Sequence, residues 1–342
     1  MVDFSDTNVV NPPGSTPKGR GRSKQEPVIL VADIGGTKIR VGHIRLVGKV
    51  SSKGVSRRIP ALREEIKKLS TDLIRTPTPV ASLAGLLKAY AAEENLSPQA
   101  AVLGVPVSLD RDLDKVLSSP NIPQLEGLTL ASELEVQLGY RVYLERDIAL
   151  LLLGEYRAGA AEGANSVLGV FFGTGVGAAM LFEGRPYRGY SVGLELGHIP
   201  IRGEGRVCIC GNLDCLEAYA CGHTLNALSQ QTGIPVPELF VRRHEDPGLD
   251  RALHEFVRDQ AYAVATAINL LDPAVCVIGG GIPQMEGYPR EAFSQTVLEH
   301  LRRPYPRTTI RLTWAELDSA AVFHGALAVL EQRRGQGIHS RN

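Results

Sequence analysis

The sequence predicts an α/β protein in two lobes, each a mixed sheet flanked by helices. Three observations carry this expectation. Short apolar runs alternate with amphipathic stretches along the chain, the pattern of a largely parallel sheet with helices packed on it. A buried strand, a glycine turn and a returning strand occur in succession twice, once in each half. The chain has 342 residues, enough for two medium domains.

The elements follow in order. Met1 to Glu26 is polar and holds Pro12-Pro13-Gly14-Ser15 and the basic run Lys18-Gly19-Arg20-Gly21-Arg22. Such a segment builds no core, so residues 1–26 are expected to form a disordered tail. Val28 to Ala32 is an apolar run ending at Asp33 and a glycine pair, hence a buried strand. Ile39 to Leu46 alternates apolar and polar residues like a strand returning antiparallel. Leu83, Leu86, Leu87 and Tyr90 mark one face of a helix. Ala101 to Val105 is a second buried strand, stopped by Pro106. Arg141 to Leu144 is a short strand, and Asp147 opens a helix through Tyr156. The second half starts with a strand from Ser166 to Phe172, a glycine turn and a strand from Ala178 to Phe182. A long helix from about Leu249 to Leu271 leads to the strand Val275 to Ile278. Helix Arg290 to Arg302, strand Ile310 to Trp314 and helix Ala320 to Arg333 close the chain. The lobes are placed at 27–147 and 148–319, with helix 320–333 packing back on the first.

Composition excludes some functions. Lys+Arg 37 balances Asp+Glu 37, so there is no basic excess for nucleic acid as the main partner. No stretch offers about 20 unbroken apolar residues, so no membrane span is expected. Met1 to Glu26 has no apolar signal core. Cys208, Cys210, Cys215 and Cys221 fall within fourteen residues. That clustering reads as metal ligation in a reducing, cytoplasmic compartment.

Two turns can hold phosphate. Asp33-Ile34-Gly35-Gly36-Thr37-Lys38 follows the first strand, and Gly173-Thr174-Gly175-Val176-Gly177 follows the strand that opens the second half. Glycine lets backbone N–H groups approach phosphate oxygens closely. Thr37 and Thr174 add hydroxyl donors, and Asp33 is suited to Mg²⁺. Either turn alone reads first as a tight hairpin; one per half favours a nucleotide clamped between lobes. There is no P-loop, and neither turn runs directly into a helix, so a dinucleotide fold fits poorly.

Nine residues separate His198 from Cys208, one separates Cys208 from Cys210, and four separate Cys210 from Cys215. Three thiolates and an imidazole complete a closed, tetrahedral, structural Zn²⁺ site. Reduced core cysteines are the alternative. Cys221 and Cys276 do not fit the spacing and read as buried thiols.

The two turns, Glu195-Leu196-Gly197-His198, Cys208-Ile209-Cys210-Gly211 and Cys215-Leu216-Glu217, in this order, resemble the ROK family (repressors, unnamed reading frames and sugar kinases). The resemblance runs from about Val28 to Arg333. Ser119 to Pro123, Arg146-Asp147, Tyr288 to Glu291 and Leu301 to Pro304 are most similar to the D-allose kinases of that family. The resemblance implies an actin-like ATPase (ribonuclease H-like) fold and a homodimer or a dimer of dimers. It implies ATP with Mg²⁺ as phosphate donor, and a hexose phosphorylated at its 6-hydroxyl, D-allose giving D-allose 6-phosphate. Glucokinase, fructokinase and N-acylmannosamine kinase are alternatives within the family. A sugar-responsive regulator and a zinc-stabilised sugar binder without catalysis are alternatives outside kinase chemistry.

It also implies roles. Asp147 becomes the catalytic base, in keeping with the need for a carboxylate to take a sugar hydroxyl's proton; a plain helix N-cap is the alternative. Asn121, Glu195 and Glu217 become sugar ligands, with His198 able to reach a hydroxyl through its second ring nitrogen. Gly279-Gly280-Gly281 falls where the family binds adenosine. Most sugar kinases of the family carry Asn directly before the catalytic Asp, whereas this chain has Arg146, as allose kinases do. Arg146 reads as a contact to sugar or phosphate, or as a structural salt bridge.

Overall fold

The computed structural model describes residues 27–46, 66–190 and 192–335; the tail expected over residues 1–26 lies outside them. β1 (Val28–Ile34) has all seven residues buried, as its unbroken apolar run requires. β2 (Lys38–Arg45) returns antiparallel to it, and β3 (Lys67–Ser70) pairs with β2. After α1 (Pro79–Glu93), β4 (Pro98–Val105) joins β1 in parallel. A two-stranded ribbon, β5 (Ser108–Leu109) with β6 (Val116–Ser118), and α2 (Leu130–Leu138) follow. β7 (Arg141–Arg146) then pairs in parallel with β4. The first sheet is ordered β3-β2-β1-β4-β7.

α3 (Asp147–Ala158) leads to the second sheet. β8 (Ser166–Phe172) and β9 (Val176–Phe182) form its hairpin, extended by β10 (Arg185–Pro186). α4 (Gly222–Thr232) and α5 (Pro247–Leu271) precede β11 (Val275–Gly279), which is parallel to β8. α6 (Arg290–Glu299), β12 (Arg311–Trp314) and α7 (Ala321–Gly335) complete the order. The second sheet, β10-β9-β8-β11-β12, repeats the plan of the first. In each, a central strand carries an antiparallel hairpin on one side and parallel strands on the other. The expected alternation of strands and helices is therefore met, and α5 starts at Pro247, two residues before the expected Leu249. Asp246 accepts from the Gly248 and Leu249 N–H groups, with Pro247 in the first turn.

One hydrophobic cluster contains residues of both sheets together with α3 and α7. Val31 and Val102 of the first sheet and Val167 and Val277 of the second pack with Leu150, Leu153, Phe323 and Leu327. α3 and α7 meet backbone to backbone. A Cβ on Gly154 would lie 2.0 Å from the Ala321 carbonyl oxygen, and one on Gly325 would lie 2.0 Å from that of Leu150. Glycine at both positions is what allows the approach. The same packing fixes α3 as it leaves β7, and with it the direction of Asp147.

Candidate active site

The first sheet brings two aspartates together. Its register sets Asp33 of β1 opposite Gly104 of β4, and Gly104 opposite Glu145 of β7. Asp147 follows two residues later as the first residue of α3. A Cβ on Gly104 would stand 3.0 Å from Leu150 Cδ2, 3.4 Å from Asp147 Cα and 3.6 Å from Asp33 Oδ1. The missing side chain leaves the gap between the two carboxylates open. Sequence reading passed over Gly104; a glycine inside an apolar strand was the available signal.

Asp33 is buried and accepts from Arg40 Nη1 at 2.7 Å. Burial raises its pKa, and Arg40 acts in the opposite direction. Asp147 keeps some solvent access although it is set deep among protein atoms. Its pKa is pushed up to about 7, first by burial and then by the charge of Asp33. The Ile148 N–H, which donates to Oδ1 at 2.8 Å, and the charge of Arg146 restrain the rise. The helix cap falls to Arg146, so Asp147 is not the N-cap that the alternative reading required.

The first glycine turn is braced from outside. The Thr71 hydroxyl donates to Gly35 O at 2.8 Å, and Arg75 Nη2 donates to Gly36 O at 2.5 Å and to Asn121 O at 3.1 Å. Gly36 faces the Asn121 side chain, whose Cγ would be 3.5 Å from a Cβ there. Asn121 thus lies at this turn, while Thr37 and Lys38 are exposed. Thr71 and Arg75 were not legible as site residues, because they reach the turn from a segment more than thirty residues away.

In the second turn Gly173 faces open space, and Thr174 is exposed. Glu217 lies against this turn: its Oε2 accepts the Val176 N–H at 2.8 Å, and a Cβ on Gly175 would be 2.5 Å from the same oxygen. Gly177 presses on Ile148, beside Asp147. Gly222, at the start of α4, donates its N–H to Gly173 O at 2.8 Å. The positive end of that helix therefore stands at the turn, a favourable place for an anion. Gly279 and Gly280 have packing reasons: a Cβ would meet the Phe171 ring at 2.7 Å and the Phe172 carbonyl oxygen at 2.3 Å, respectively. Gly281 faces open space.

Arg146 makes the salt bridge that was one of its readings. Its Nη1 donates to Gly193 O and its Nη2 to Glu195 Oε1, both at 2.8 Å. The preceding residue, buried Glu145, holds Arg188 by a two-pronged pair at 2.8 and 2.7 Å.

Donor atoms of His198, Cys208, Cys210 and Cys215 all lie within 4.8 Å of one another. His198 turns Nδ1 to Cys208 Sγ at 3.6 Å and Nε2 to Glu195 Oε2 at 3.9 Å. The loop is shaped by Asp214, which accepts the N–H groups of Glu204, Gly205 and Arg206 and the Tyr219 hydroxyl. Arg202 and Arg206 stack on Tyr219 at 4.9 and 4.4 Å. Three sulfurs and one imidazole nitrogen gathered this closely fit a four-coordinate structural zinc ion.

A sequence model described as the ROK family matches residues 30–333. A glucokinase of Thermotoga maritima is 27% identical over 326 residues, covering 90% of this chain and 98% of that protein. An N-acetyl-D-glucosamine kinase of Aliivibrio fischeri is 28% identical over 278 residues, covering 74% and 84%. The crystal structure of a ROK family glucokinase from Streptomyces griseus, in complex with glucose and AMPPNP, is 25% identical with a TM-score of 0.71, covering 90% of this chain and 99% of that one.

Proposed function

Since the chain belongs to the ROK family, we propose that it is an ATP-dependent hexose kinase acting at the 6-hydroxyl, with D-allose as its sugar. The observation that carries the kinase reading is Asp147, a carboxyl with a pKa of about 7, on the same sheet edge as one glycine turn and packed through Ile148 against the other. A base with a pKa near working pH is partly ionised and still strong enough to take a hydroxyl proton. As the sugar oxygen attacks the γ-phosphorus of ATP, Asp147 accepts its proton, and ADP leaves with the electrons of the broken P–O bond.

Asn121 and Glu195 orient sugar hydroxyls. The turns at Gly35-Gly36-Thr37-Lys38 and Gly173-Thr174-Gly175-Val176-Gly177 hold phosphates through backbone N–H and threonine hydroxyl groups, and the end of α4 adds its positive pole. Gly281, open to solvent at the end of β11, offers room for the adenosine. Asp33 would hold Mg²⁺, which when bound would neutralise phosphate charge. His198, Cys208, Cys210 and Cys215 would hold zinc; its chemistry is structural, fixing the ring that faces Glu195. Glu217 supports the second turn and leaves Oε1 for a further polar contact.

D-allose is favoured by Arg146 standing directly before Asp147, the position at which this chain parts from most sugar kinases of its family. The relatives reported above carry the names glucokinase and N-acetyl-D-glucosamine kinase, so those sugars are the competing substrates. The test is ATP consumption against D-allose, D-glucose, D-fructose, N-acetyl-D-mannosamine and N-acetyl-D-glucosamine. The highest kcat/KM is expected on D-allose. A different winner retains the kinase and overturns the sugar; no turnover on any of them overturns the kinase.

A further inference from the structure

We infer that Arg146 is a positioning residue that selects the sugar through Glu195 without touching the sugar itself; the inference rests on the kinase reading above. Guanidinium is a planar fork, well suited to two acceptors at fixed positions. Here the two acceptors are Gly193 O and Glu195 Oε1, each at 2.8 Å. Both belong to the segment whose other end is tied by Arg188 to Glu145, the neighbour of Arg146. The last two residues of β7 therefore fasten Arg188 at one point and the Gly193–Glu195 stretch at another. The two ties border one pocket, lined by Glu145, Arg146, Arg188 and Gly193 together.

The consequence falls on Glu195. Its Oε1 is occupied by Arg146, and its Oε2 lies 3.9 Å from His198 Nε2. The carboxylate plane is held from one side by Arg146 and bordered on the other by an imidazole, itself set against Cys208 at 3.6 Å. A sugar hydroxyl is then read by one oxygen in one direction. An amide side chain in place of Arg146 would release Oε1 as a second acceptor and let the carboxylate rotate. Epimers differ in the direction of a single hydroxyl, so a fixed single acceptor discriminates between them more sharply than a mobile pair.

The pair is not a stability device. The Arg146 side chain is 24% exposed and that of Glu195 42%, and ion pairs this accessible contribute little to folding. Its loss should appear in the sugar step and hardly at all in the melting temperature.

The experiment is a kinetic double-mutant cycle with Arg146→Met, Glu195→Gln and both together, on the full chain. Sugar is varied at saturating ATP, and ATP at saturating sugar. Arg146→Met is expected to raise the sugar KM by about tenfold or more, as loss of a charged hydrogen bond would. It should compress the ratio of kcat/KM between the best and second-best hexose and leave the KM for ATP within about twofold. In the Glu195→Gln background the same change should have little further effect, because the ionised carboxylate it orients is gone. Equal effects of Arg146→Met in both backgrounds would show that Arg146 acts on the sugar step by a route other than Glu195 and would overturn the inference. An unchanged sugar KM and hexose ratio would overturn it too. Should Arg146→Met melt well below the wild type, Arg146→Lys repeats the cycle with the charge kept and the fork lost; the same coupling is expected and additivity again overturns. A wild type that phosphorylates no hexose refutes the kinase reading instead, so the two failures are distinguishable.

Discussion

Replacing Asp147 by Asn should abolish activity and, above neutral pH, make the protein more stable. The side chains are nearly isosteric, and the amide oxygen can still accept the Ile148 N–H that donates at 2.8 Å. The carboxyl is moved from its ordinary 3.8 to about 7, by burial first and by Asp33 second. Each pH unit between folded and unfolded values is worth about 1.36 kcal/mol. Holding Asp147 ionised in the fold therefore costs about 4 kcal/mol. The sign follows from the direction. Because the folded value lies above the unfolded one, the cost is fully present above about 7, fades as pH falls through the window down to 3.8, and is absent below it. Asparagine carries no such cost at any pH. Its variant should melt roughly 5–10 °C higher than wild type at pH 8 and with no advantage near the acid end of the window. In the same variant kcat should fall by about 10²–10⁴, while wild-type kcat/KM should drop about tenfold per pH unit below about 7. Scanning calorimetry at several pH values and an ATP-coupled assay make the two measurements. An Asn variant no more stable than wild type at pH 8 would refute the claim that the site resists ionisation. Retained activity would refute the base.

Three further perturbations probe how the base is placed and what supports it. Gly104→Ala puts a Cβ 3.0 Å from Leu150 and 3.4 Å from Asp147 Cα; displacing the base should lower kcat about tenfold or more at nearly unchanged KM for ATP, read by steady-state kinetics. Gly154→Ala would set a Cβ 2.0 Å from the Ala321 carbonyl oxygen, so α3 and α7 must part; unfolding in urea should show a loss of about 3 kcal/mol. Metal analysis should give one zinc ion per chain, held by His198, Cys208, Cys210 and Cys215. Chelation, or Cys215→Ser, should lower the melting temperature and raise the sugar KM through Glu195, leaving ATP binding the lesser casualty.

What the sequence could reveal depended on the range of the interaction. Buried strands were legible because parallel strands covered on both faces need unbroken apolar runs, and β8 falls on Ser166–Phe172 as expected. The cysteine cluster was legible from spacing because its ligands are close in the chain. Asp147 and Glu195 came from the family resemblance, since a lone Asp at a helix start reads as a cap. The end of β7 was missed. Glu145 and Arg146 look like loop residues, but they are strand residues whose charges are met by Arg188 and Glu195, more than forty positions away. The partner of Gly104 was equally hidden, because the register between β1, β4 and β7 is a tertiary fact that no local pattern encodes. α6 ends at Glu299, three residues before the expected Arg302, a boundary that apolar periodicity does not define.

The same residue type serves two ends in this protein, and the contrast explains why the base is so poorly provided with donors. Asp214 shapes the cysteine loop: it accepts three backbone N–H groups and the Tyr219 hydroxyl. Those donors, with Tyr219 first, hold its carboxyl below the ordinary range. An aspartate so satisfied is a good brace and a poor base, since each donor stabilises the charge that proton uptake would remove. Asp147 is the opposite case. It stands among apolar neighbours, faces the charge of Asp33 across the gap left by Gly104, and takes a hydrogen bond from its own helix at Ile148. Arg146, the nearest guanidinium in sequence, is turned away to Gly193 and Glu195. Had it paired with Asp147 instead, the carboxylate would be held ionised and weakly basic. The clamp on Glu195 thus has a second effect: it turns the Arg146 guanidinium away from the base, so that its charge only partly restrains the rise in the Asp147 pKa.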